Sequence, residues 1–265
     1  MAEPKVCVTL EGTTVKEMGD EAARANIAGA EFVEVRFDRL YLVKPQPVAQ
    51  EDENGEIKHV IPPEDEWHVK DAADVDVGEA ISTLKESIPL PVIFTVRPTV
   101  EGGHFPGTDE ERMAILEAAI ESNVNSVDLE LSIEAATRAR LVDLAAGNGV
   151  KVISSIHNTT TTPSAEELVN MVKEHATEEA MFKFCGTVND HQDALQIVEA
   201  CYELNNTNLL YALMALGNGG DWGRLHAPAL GQALVYATLR NEFKLSNKGL
   251  VNVKDLKRAW TLMEY

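Results

Sequence analysis

The chain has 265 residues, of which 45% are hydrophobic and 25% are charged, a composition typical of a globular protein. Its 43 Asp and Glu residues exceed its 23 Lys and Arg residues, so the formal net charge is −20. Such a charge disfavours nucleic acids and anionic membranes as partners, because both require basic surfaces, and no apolar run approaches the ~20 residues that span a bilayer.

Strand-like β-branched runs alternate with amphipathic helical patterns along the first half of the chain. The predicted elements are a strand at Lys5–Leu10, a helix at 13–29, a strand at Phe32–Asp38, a helix near 74–88, a strand at Val92–Arg97, a helix at Asp109–Ser122, a strand at Val124–Leu131 and a helix at Ile133–Gly147. An acidic stretch with four prolines, from Tyr41 to Asp71, interrupts this order. Because compact domains rarely contain so long a loop, we consider a dimer contact, a lid and a solvated acidic loop, and we favour the loop.

The alternation continues to the end of the chain. The remaining predicted elements are a strand at Val150–His157, a helix capped by Ser164, a strand at Met181–Cys185, a helix at Asp190–Leu204, a strand at Asn208–Leu216, a last strand within Ala227–Tyr236 and a helix at Val253–Met263. Eight strands, most of them followed by a helix over ~250 residues, predict an α/β fold, a (β/α)8 TIM barrel forming a single domain over 1–265 with an insertion at about 41–71. The alternative is an open doubly wound sheet, which the lack of Gly-x-Gly-x-x-Gly after the first strand disfavours.

The cysteines and histidines argue against disulfide and metal sites. Cys7, Cys185 and Cys201 are too few and too far apart for a disulfide framework or a metal pair. The seven histidines lack the His-x-x-x-His spacing of metal ligands. The N-terminus lacks the basic start and apolar stretch of a signal peptide. We therefore expect a cytoplasmic protein with reduced, buried thiols and no metal.

Polar side chains at the carboxyl ends of the strands face the active site of such a barrel. The candidates of this kind are Thr9, Glu34, Arg36, Arg97 with Glu101, Asp128, Glu130, His157, Lys183 and, in the loop after the seventh strand, Arg224. Glu34 and Arg36 are two positions apart, so both point to one face of the strand. They are either site residues or an internal ion pair. The same choice applies to Asp128 and Glu130, and for Glu130 we favour the ion pair.

Lys183 lies inside the apolar run Met181–Cys185, in the middle of a strand. Burial lowers the pKa of a lysine and favours the neutral amine, which attacks a carbonyl group to form a Schiff base. His157 ends the preceding strand, where a histidine either makes structural hydrogen bonds or moves protons. Because Schiff-base chemistry needs a proton shuttle, the two residues together indicate a catalytic pair.

Five short segments occur in a fixed order along the chain. They are Glu34–Asp38, Thr95–Arg97 with Glu101–Gly103, Asp128–Leu131, Ser155–Asn158 with Thr162 and Pro163, and Phe182 with Lys183. As a set they resemble the type I 3-dehydroquinase family, the Schiff-base dehydratases of the shikimate pathway, from the first strand to the final helix. The resemblance implies a (β/α)8 barrel, usually a homodimer, that acts on the small molecule 3-dehydroquinate with no metal or organic cofactor.

The resemblance also implies a role for each matching residue. Lys183 would form the imine with the C3 ketone of the substrate. His157 would remove a C2 proton and then protonate the departing C1 hydroxyl in a syn elimination, and Glu101 would orient His157. The implied substrate-binding residues are Thr9, Glu34, Val35, Arg36, Arg97, Ser246 and, for the carboxylate, Arg224.

Two positions near the implied carboxylate site depart from the family's pattern. The family's loop after the last strand commonly reads Ser-Ala-Pro-Gly-Gln, whereas residues 246–250 read Ser-Asn-Lys-Gly-Leu, so Leu250 replaces the glutamine. Gly223 stands where the family often has serine. We hypothesise that Asn247 or Lys248 supplies the lost contact. An unchanged substrate KM in Lys248→Ala would exclude Lys248.

Two other functions are compatible with parts of the pattern. Another Schiff-base lyase, such as an aldolase for a phosphorylated sugar, would need a phosphate cradle. The glycine-rich run Ala215–Gly220 follows the seventh strand, where many barrels bind phosphate, but a flexible turn explains it equally well. A catalytically silent, carboxylate-binding barrel is supported only by Leu250. The acidity itself would suit a saline cytoplasm, in which acidic surfaces keep proteins soluble.

Overall fold

The structure is a computed structural model that describes residues 3–51, 55–240 and 249–265. Within these ranges, eight parallel strands form a barrel: β1 (Lys5–Thr9), β2 (Phe32–Arg36), β3 (Val92–Thr95), β4 (Ser126–Glu130), β5 (Lys151–His157), β6 (Met181–Val188), β7 (Tyr211–Gly217) and β8 (Leu234–Ala237). Hydrogen bonds join them in the order β7-β6-β5-β4-β3-β2-β1-β8. The predicted TIM barrel is therefore confirmed.

A helix follows each strand along the chain. The helices of the described residues are α1 (Val15–Ala28), α2 (Val77–Ser87), α3 (Asp109–Glu121), α4 (Ala135–Gly147), α5 (Ala165–His175), α6 (His191–Leu204), α7 (Gly220–Leu225) and α8 (Val253–Leu262). All of them except α7 begin after a side chain that accepts a hydrogen bond from a backbone N–H of the first turn, as Thr14 and Ser164 do. Within the described residues, no helix is long and apolar enough to cross a membrane.

The barrel is closed between β7 and β8 by a side chain. The described residues of these two strands form no backbone ladder, although the Ala233 N–H donates to the Tyr211 carbonyl at 2.9 Å. The buried amide of Gln232 accepts a hydrogen bond from the Leu213 N–H and donates one to the Gly223 carbonyl, each at 2.9 Å. Gln232 therefore takes the place of part of the missing ladder.

The side chains that point into the barrel change from apolar to polar along the strands. Every second residue of a strand points inward. Towards the amino ends these side chains are apolar and pack together, as Ile93 and Ile153 do. Two positions further along the same strands, Thr95 and Ser155 make side-chain hydrogen bonds to the charged residues of the interior. The barrel therefore has an apolar floor and a polar mouth.

The insertion after β2 is exposed, as expected for a solvated loop, but it contains regular pairing. Leu42–Val43 pairs antiparallel with His68–Val69, and Val48–Glu51 pairs antiparallel with Ile57–Val60. A 3₁₀ turn at Glu64–Glu66 lies between these pairs along the chain. The favoured interpretation, a solvated acidic loop, stays a prediction, and the two antiparallel pairs add regular structure to it.

Several element boundaries differ from the predictions. β6 extends to Val188 rather than ending at Cys185, and β7 begins at Tyr211 rather than at Asn208. β2 ends at Arg36 rather than at Asp38, because a 3₁₀ turn follows it directly. The last strand begins only at Leu234. The glycine-rich run after β7 leads into the six-residue helix α7, so Arg224 lies on a helix and not in the predicted loop.

Candidate active site

A cavity of about 500 Å³ lies at the carboxyl ends of the barrel strands. The predicted site residues that line it are Thr9, Glu34, Arg36, Arg97, Glu101, His157, Lys183 and Arg224. Its wall also includes Cys185, Met214, Tyr236 and Leu250. Side chains that are far apart in the sequence thus meet around one space large enough for a small ligand.

Lys183 points from the middle of β6 into this cavity and is only 3% exposed. Its Nζ donates hydrogen bonds to Glu34 Oε1 at 2.9 Å and to Asp128 Oδ2 at 3.0 Å. The same nitrogen lies 4.5 Å from the centre of the Tyr236 ring, a cation–π distance. The amine is therefore fixed by two carboxylates and one aromatic face.

These two carboxylates shift the pKa of Lys183 in the direction opposite to the one predicted from burial. Burial by itself lowers the pKa of a lysine, as the sequence argument assumed. Asp128 and Glu34 outweigh burial, so the pKa of Lys183 is raised above its ordinary value. The prediction of a neutral resting amine was wrong, because the charges that surround Lys183 come from β2 and β4.

His157 and Glu101 form a hydrogen-bonded pair at the edge of the cavity. Glu101 Oε2 lies 3.1 Å from His157 Nδ1 and also accepts a hydrogen bond from the His157 backbone N–H at 3.1 Å. Glu101 Oε1 accepts a hydrogen bond from the Ser132 hydroxyl. The carboxylate thereby fixes the ring at Nδ1 and leaves Nε2 as the ring nitrogen for proton transfer.

A tight turn after β3 presents Glu101. Gly102 ends the turn in the left-handed region, with a φ of 76°. At Gly103 the chain returns so close that a Cβ would lie 2.0 Å from the Arg97 carbonyl oxygen. Only glycine fits this close approach, so the Glu101-Gly102-Gly103 sequence has a geometric explanation.

His157 is held in the neutral form. Burial, together with the positive charges of Arg97 and Lys183, lowers the pKa of His157 well below its ordinary value. A neutral imidazole can accept a proton at physiological pH. The site therefore combines a charged amine with an uncharged base.

Arg97 organises a buried ion-pair network beside Lys183. Its guanidinium lies 3.1 Å from Asp128 Oδ2 and 2.7 Å from Glu130 Oε1. Arg112, on α3, reaches Glu130 Oε2 at 2.8 Å from the other side. The ion-pair interpretation favoured for Glu130 is thus confirmed, with Arg97 and Arg112 as its partners.

Glu34 and Arg36 do not pair with each other, so that interpretation was wrong. Arg36 makes a bidentate pair with Asp38, with hydrogen bonds of 2.9 and 2.8 Å. Glu34 accepts hydrogen bonds from Thr9 and Lys183. Both side chains face the cavity, as their spacing of two predicted.

Arg224 also lines the cavity and is 1% exposed. Its Nε donates to the Tyr236 carbonyl, and its Nη1 lies within hydrogen-bond distance of the carbonyls of Ala215, Gly220 and Gly249. Burial lowers the pKa of Arg224. Among the described residues, no acceptor engages Nη2 and no carboxylate pairs with this guanidinium, so it is suited to an anionic ligand.

Three predicted features differ from this arrangement. The Val35 side chain packs in the core between the barrel and the helices, because it alternates with Glu34 and Arg36 along β2. Only its backbone is left for contact with a substrate. Ser246, and with it Asn247 and Lys248, lies outside the described residues.

Several residues at the cavity were not predicted from the sequence. Tyr236 is the next-to-last residue of the last strand and covers Lys183, a position that the rule of strand ends could have identified. Cys185 is two residues after Lys183 on β6, so it lines the cavity and is only half-buried, unlike Cys7 and Cys201. The expectation of three buried thiols was therefore wrong for Cys185.

Curated proteins similar to this chain include several 3-dehydroquinate dehydratases. The family model "Type I 3-dehydroquinase" matches residues 6–265. The 3-dehydroquinate dehydratase of Methanosarcina acetivorans is 25% identical over 92% of this chain and 90% of its own length. That of Listeria monocytogenes is 27% identical over 98% of this chain and 92% of its own length.

Solved structures agree with the fold. The type I 3-dehydroquinate dehydratase of Clostridium difficile, solved with covalently modified comenic acid, has a TM-score of 0.77 at 23% identity, covering 99% of this chain and 93% of that one. The 3-dehydroquinate dehydratase of Geobacillus kaustophilus has a TM-score of 0.78 at 20% identity, covering 99% and 92%.

Proposed function

Because the chain belongs to the type I 3-dehydroquinase family, we propose that it is a 3-dehydroquinate dehydratase, a hydro-lyase that converts 3-dehydroquinate to 3-dehydroshikimate and water. One observation carries the proposal: a buried lysine, Lys183, and a histidine–carboxylate pair, His157 with Glu101, line the same cavity. An amine that forms an imine and a base that moves a proton on the adjacent carbon are the two groups that this elimination requires.

The reaction begins with loss of a proton from Lys183. The resting amine is an ammonium, since its pKa is raised by Asp128 and Glu34 against the effect of burial. Substrate hydroxyls that donate to Glu34 weaken its hold on the ammonium. The proton passes to the neutral His157 imidazole, and the released amine attacks the C3 ketone to give a carbinolamine. His157 returns the proton to the carbinolamine hydroxyl, which leaves as water, forming an iminium whose positive charge acidifies the C2 proton.

His157 then acts twice. Its free Nε2 accepts the C2 proton, so that the electrons of the C–H bond form an enamine. The resulting imidazolium, stabilised by Glu101 at Nδ1, donates the proton to the C1 hydroxyl, which leaves as water. Hydrolysis of the remaining imine releases the conjugated ketone and restores the Lys183 amine.

The substrate carboxylate binds at Arg224 in this proposal. The other guanidiniums at the inner wall, Arg36 and Arg97, are already paired with buried carboxylates. Thr9, Glu34, Arg36 and Arg97 supply the polar contacts for the ring hydroxyls. Ser246 keeps its proposed part in substrate binding, and Asn247 or Lys248 its part in carboxylate binding. Leu250, which lines the cavity, offers only apolar contact.

The test is a trapping experiment. The protein is incubated with 3-dehydroquinate and reduced with borohydride, and the intact mass and the modified peptide are measured together with the absorbance of the conjugated product. We expect one adduct on Lys183, its loss in Lys183→Ala, and no change in Lys173→Ala, which alters an exposed lysine on α5.

The outcomes separate the alternatives. An adduct without new absorbance would contradict the dehydratase and leave an aldolase-type lyase. Neither adduct nor absorbance would contradict the dehydratase. In His157→Asn we expect the adduct to form slowly and the absorbance to rise at less than about 1% of the unmodified rate.

A further inference from the structure

The insertion contributes one charged residue to the wall of the cavity. Glu64, in the 3₁₀ turn of the insertion, lines the cavity together with Arg39 from the turn after β2. Arg39 Nη1 donates to Glu64 Oε2 at 2.9 Å, and Arg39 Nη2 donates to Glu64 Oε1 at 2.8 Å. This bidentate geometry uses both ends of the guanidinium fork on one carboxylate.

The remaining guanidinium nitrogen of Arg39 also makes a hydrogen bond. Its Nε donates to the Glu11 carbonyl at 2.9 Å, and the residue is 7% exposed. The Glu11 side chain pairs instead with Arg240. His104 Nε2 lies 3.6 Å from Glu64 Oε2, and the neighbouring His104 and Arg39 lower the pKa of Glu64. Glu64 is therefore a carboxylate, and it alone neutralises Arg39 among the described residues.

The four guanidiniums of the cavity thus fall into two groups. Within the described residues, Arg36 is paired with Asp38, Arg39 with Glu64, and Arg97 with Asp128 and Glu130, whereas Arg224 has only backbone carbonyls. An anionic group that enters the cavity finds one guanidinium whose charge is not cancelled.

We propose that Glu64 is a specificity-determining residue: by neutralising Arg39 it leaves Arg224 as the only anion site of the described wall. The cavity therefore accepts a ligand with one anionic group and rejects ligands with a second, such as sugar bisphosphates and dicarboxylates. The inference deepens the proposed function and rests on it for the identity of the ligand at Arg224. That Glu64 prevents anions from binding Arg39 is a separate claim, and phosphate binding tests it without substrate turnover.

According to this proposal, removal of the Glu64 charge makes Arg39 a second anion-binding site. Glu64→Gln keeps a side chain that can still hydrogen-bond to Arg39, so the turn is expected to fold, but it leaves the guanidinium charge uncancelled. We expect inorganic phosphate to bind Glu64→Gln about tenfold more tightly than the unmodified protein, as a bidentate guanidinium–phosphate contact becomes available. Calorimetric titration at constant ionic strength measures this affinity without substrate.

Two control variants isolate the cause. Glu66→Gln removes the same charge from the same turn at an exposed position, and we expect phosphate affinity to stay at the unmodified level. Arg39→Gln combined with Glu64→Gln should abolish the gain. The inference is overturned if Glu64→Gln and Glu66→Gln bind phosphate equally, or if the gain persists without Arg39.

Steady-state kinetics give an independent readout. In Glu64→Gln the carboxylate of 3-dehydroquinate can also bind at Arg39 in an orientation that does not react. Nonproductive binding lowers kcat and KM by the same factor and leaves kcat/KM unchanged, a combination that a loosened site does not give. A fall in kcat/KM with unchanged KM would contradict nonproductive binding at Arg39. Absence of any turnover in the unmodified protein would contradict the proposed function while leaving the phosphate result valid.

Discussion

The amine of Lys183 carries a positive charge because two carboxylates, Glu34 and Asp128, lie within 3.0 Å of it. Of these two, Glu34 can be altered with less damage. Both carboxylates also pair with Arg97, Asp128 at 3.1 Å and Glu34 at 3.8 Å, so the loss of Asp128 would remove more of the countercharge of this buried guanidinium. Glu34 is therefore the position at which the charge of Lys183 can be changed.

Glu34→Gln should make Lys183 more reactive while it impairs turnover. Removing one of the two anions lowers the pKa of Lys183, so a larger fraction of this lysine is the neutral amine at a given pH. We expect carbamylation of Lys183 by cyanate at pH 8, followed by peptide mass spectrometry, to be several-fold faster. Glu79→Gln, at an exposed position on α2, serves as the control. An unchanged rate would contradict the assigned charge balance.

Glu101 acts as a positioning residue through His157, and Glu101→Gln tests this role. The amide cannot accept the Nδ1–H bond with the strength of a carboxylate, so we expect kcat to fall about 100-fold with little change in KM. Loss of the anion also disfavours the imidazolium and lowers the pKa of His157. The acid limb of kcat/KM should therefore move to lower pH. An unmoved limb would indicate that Glu101 only supports the loop.

Some site residues could be predicted from the sequence because each is at the end of a strand or inside an apolar run. Lys183 and His157 are of this kind. The charge state of Lys183 could not be predicted, since it depends on Glu34, which is 149 positions away, and on Asp128, which is 55 positions away. Such contacts exist only once the barrel has formed.

Among the structural elements, the junction of β7 and β8 includes the buried side chain of Gln232 beside the Ala233–Tyr211 backbone hydrogen bond. Gln232→Ala would leave the Leu213 N–H and the Gly223 carbonyl without their partner. An unsatisfied buried polar group costs about 1–3 kcal/mol, so we expect the free energy of unfolding to fall by about 2–5 kcal/mol. Urea denaturation measures the change, with the exposed Gln192→Ala on α6 as control. A loss below about 0.5 kcal/mol would show that water replaces the amide.

The strands could be predicted because β-branched runs alternate with helical patterns at regular spacing. Helix α7 could not, because it has only six residues and begins in a glycine-rich run, a composition that favours a turn. The pairing inside the insertion was also missed, since its strands are only two to four residues long and exposed.

At the scale of the whole molecule, positive and negative charges are distributed differently inside and outside. Of the buried cations among the described residues, Lys183, Arg97 and Arg112 pair with buried carboxylates. Arg39 pairs with the partly exposed Glu64, and Arg224 contacts backbone carbonyls. The net charge of −20 therefore arises mainly at the surface, where like charges repel each other.

This distribution predicts that salt stabilises the protein. The screening length falls from about 10 Å at 0.1 M to about 3 Å at 1 M salt, so surface repulsion weakens, whereas buried pairs are screened much less. We expect Tm to rise by several degrees between 0.05 and 1 M NaCl in scanning calorimetry. Sucrose at equal osmolality controls for general solute exclusion. A Tm that falls with NaCl would mean that surface attractions dominate.

The approach of Gly103 to the Arg97 carbonyl restricts the evolutionary paths open to this loop. Any codon change that replaces glycine adds a Cβ, which would lie 2.0 Å from that oxygen, displace the turn and carry Glu101 away from His157. Gly147, where a Cβ would meet nothing within 4 Å, can be replaced by other residues without such a clash. Lineages that adapt this barrel to new temperatures or salinities are therefore expected to change its helices and surface while inheriting the turn unaltered.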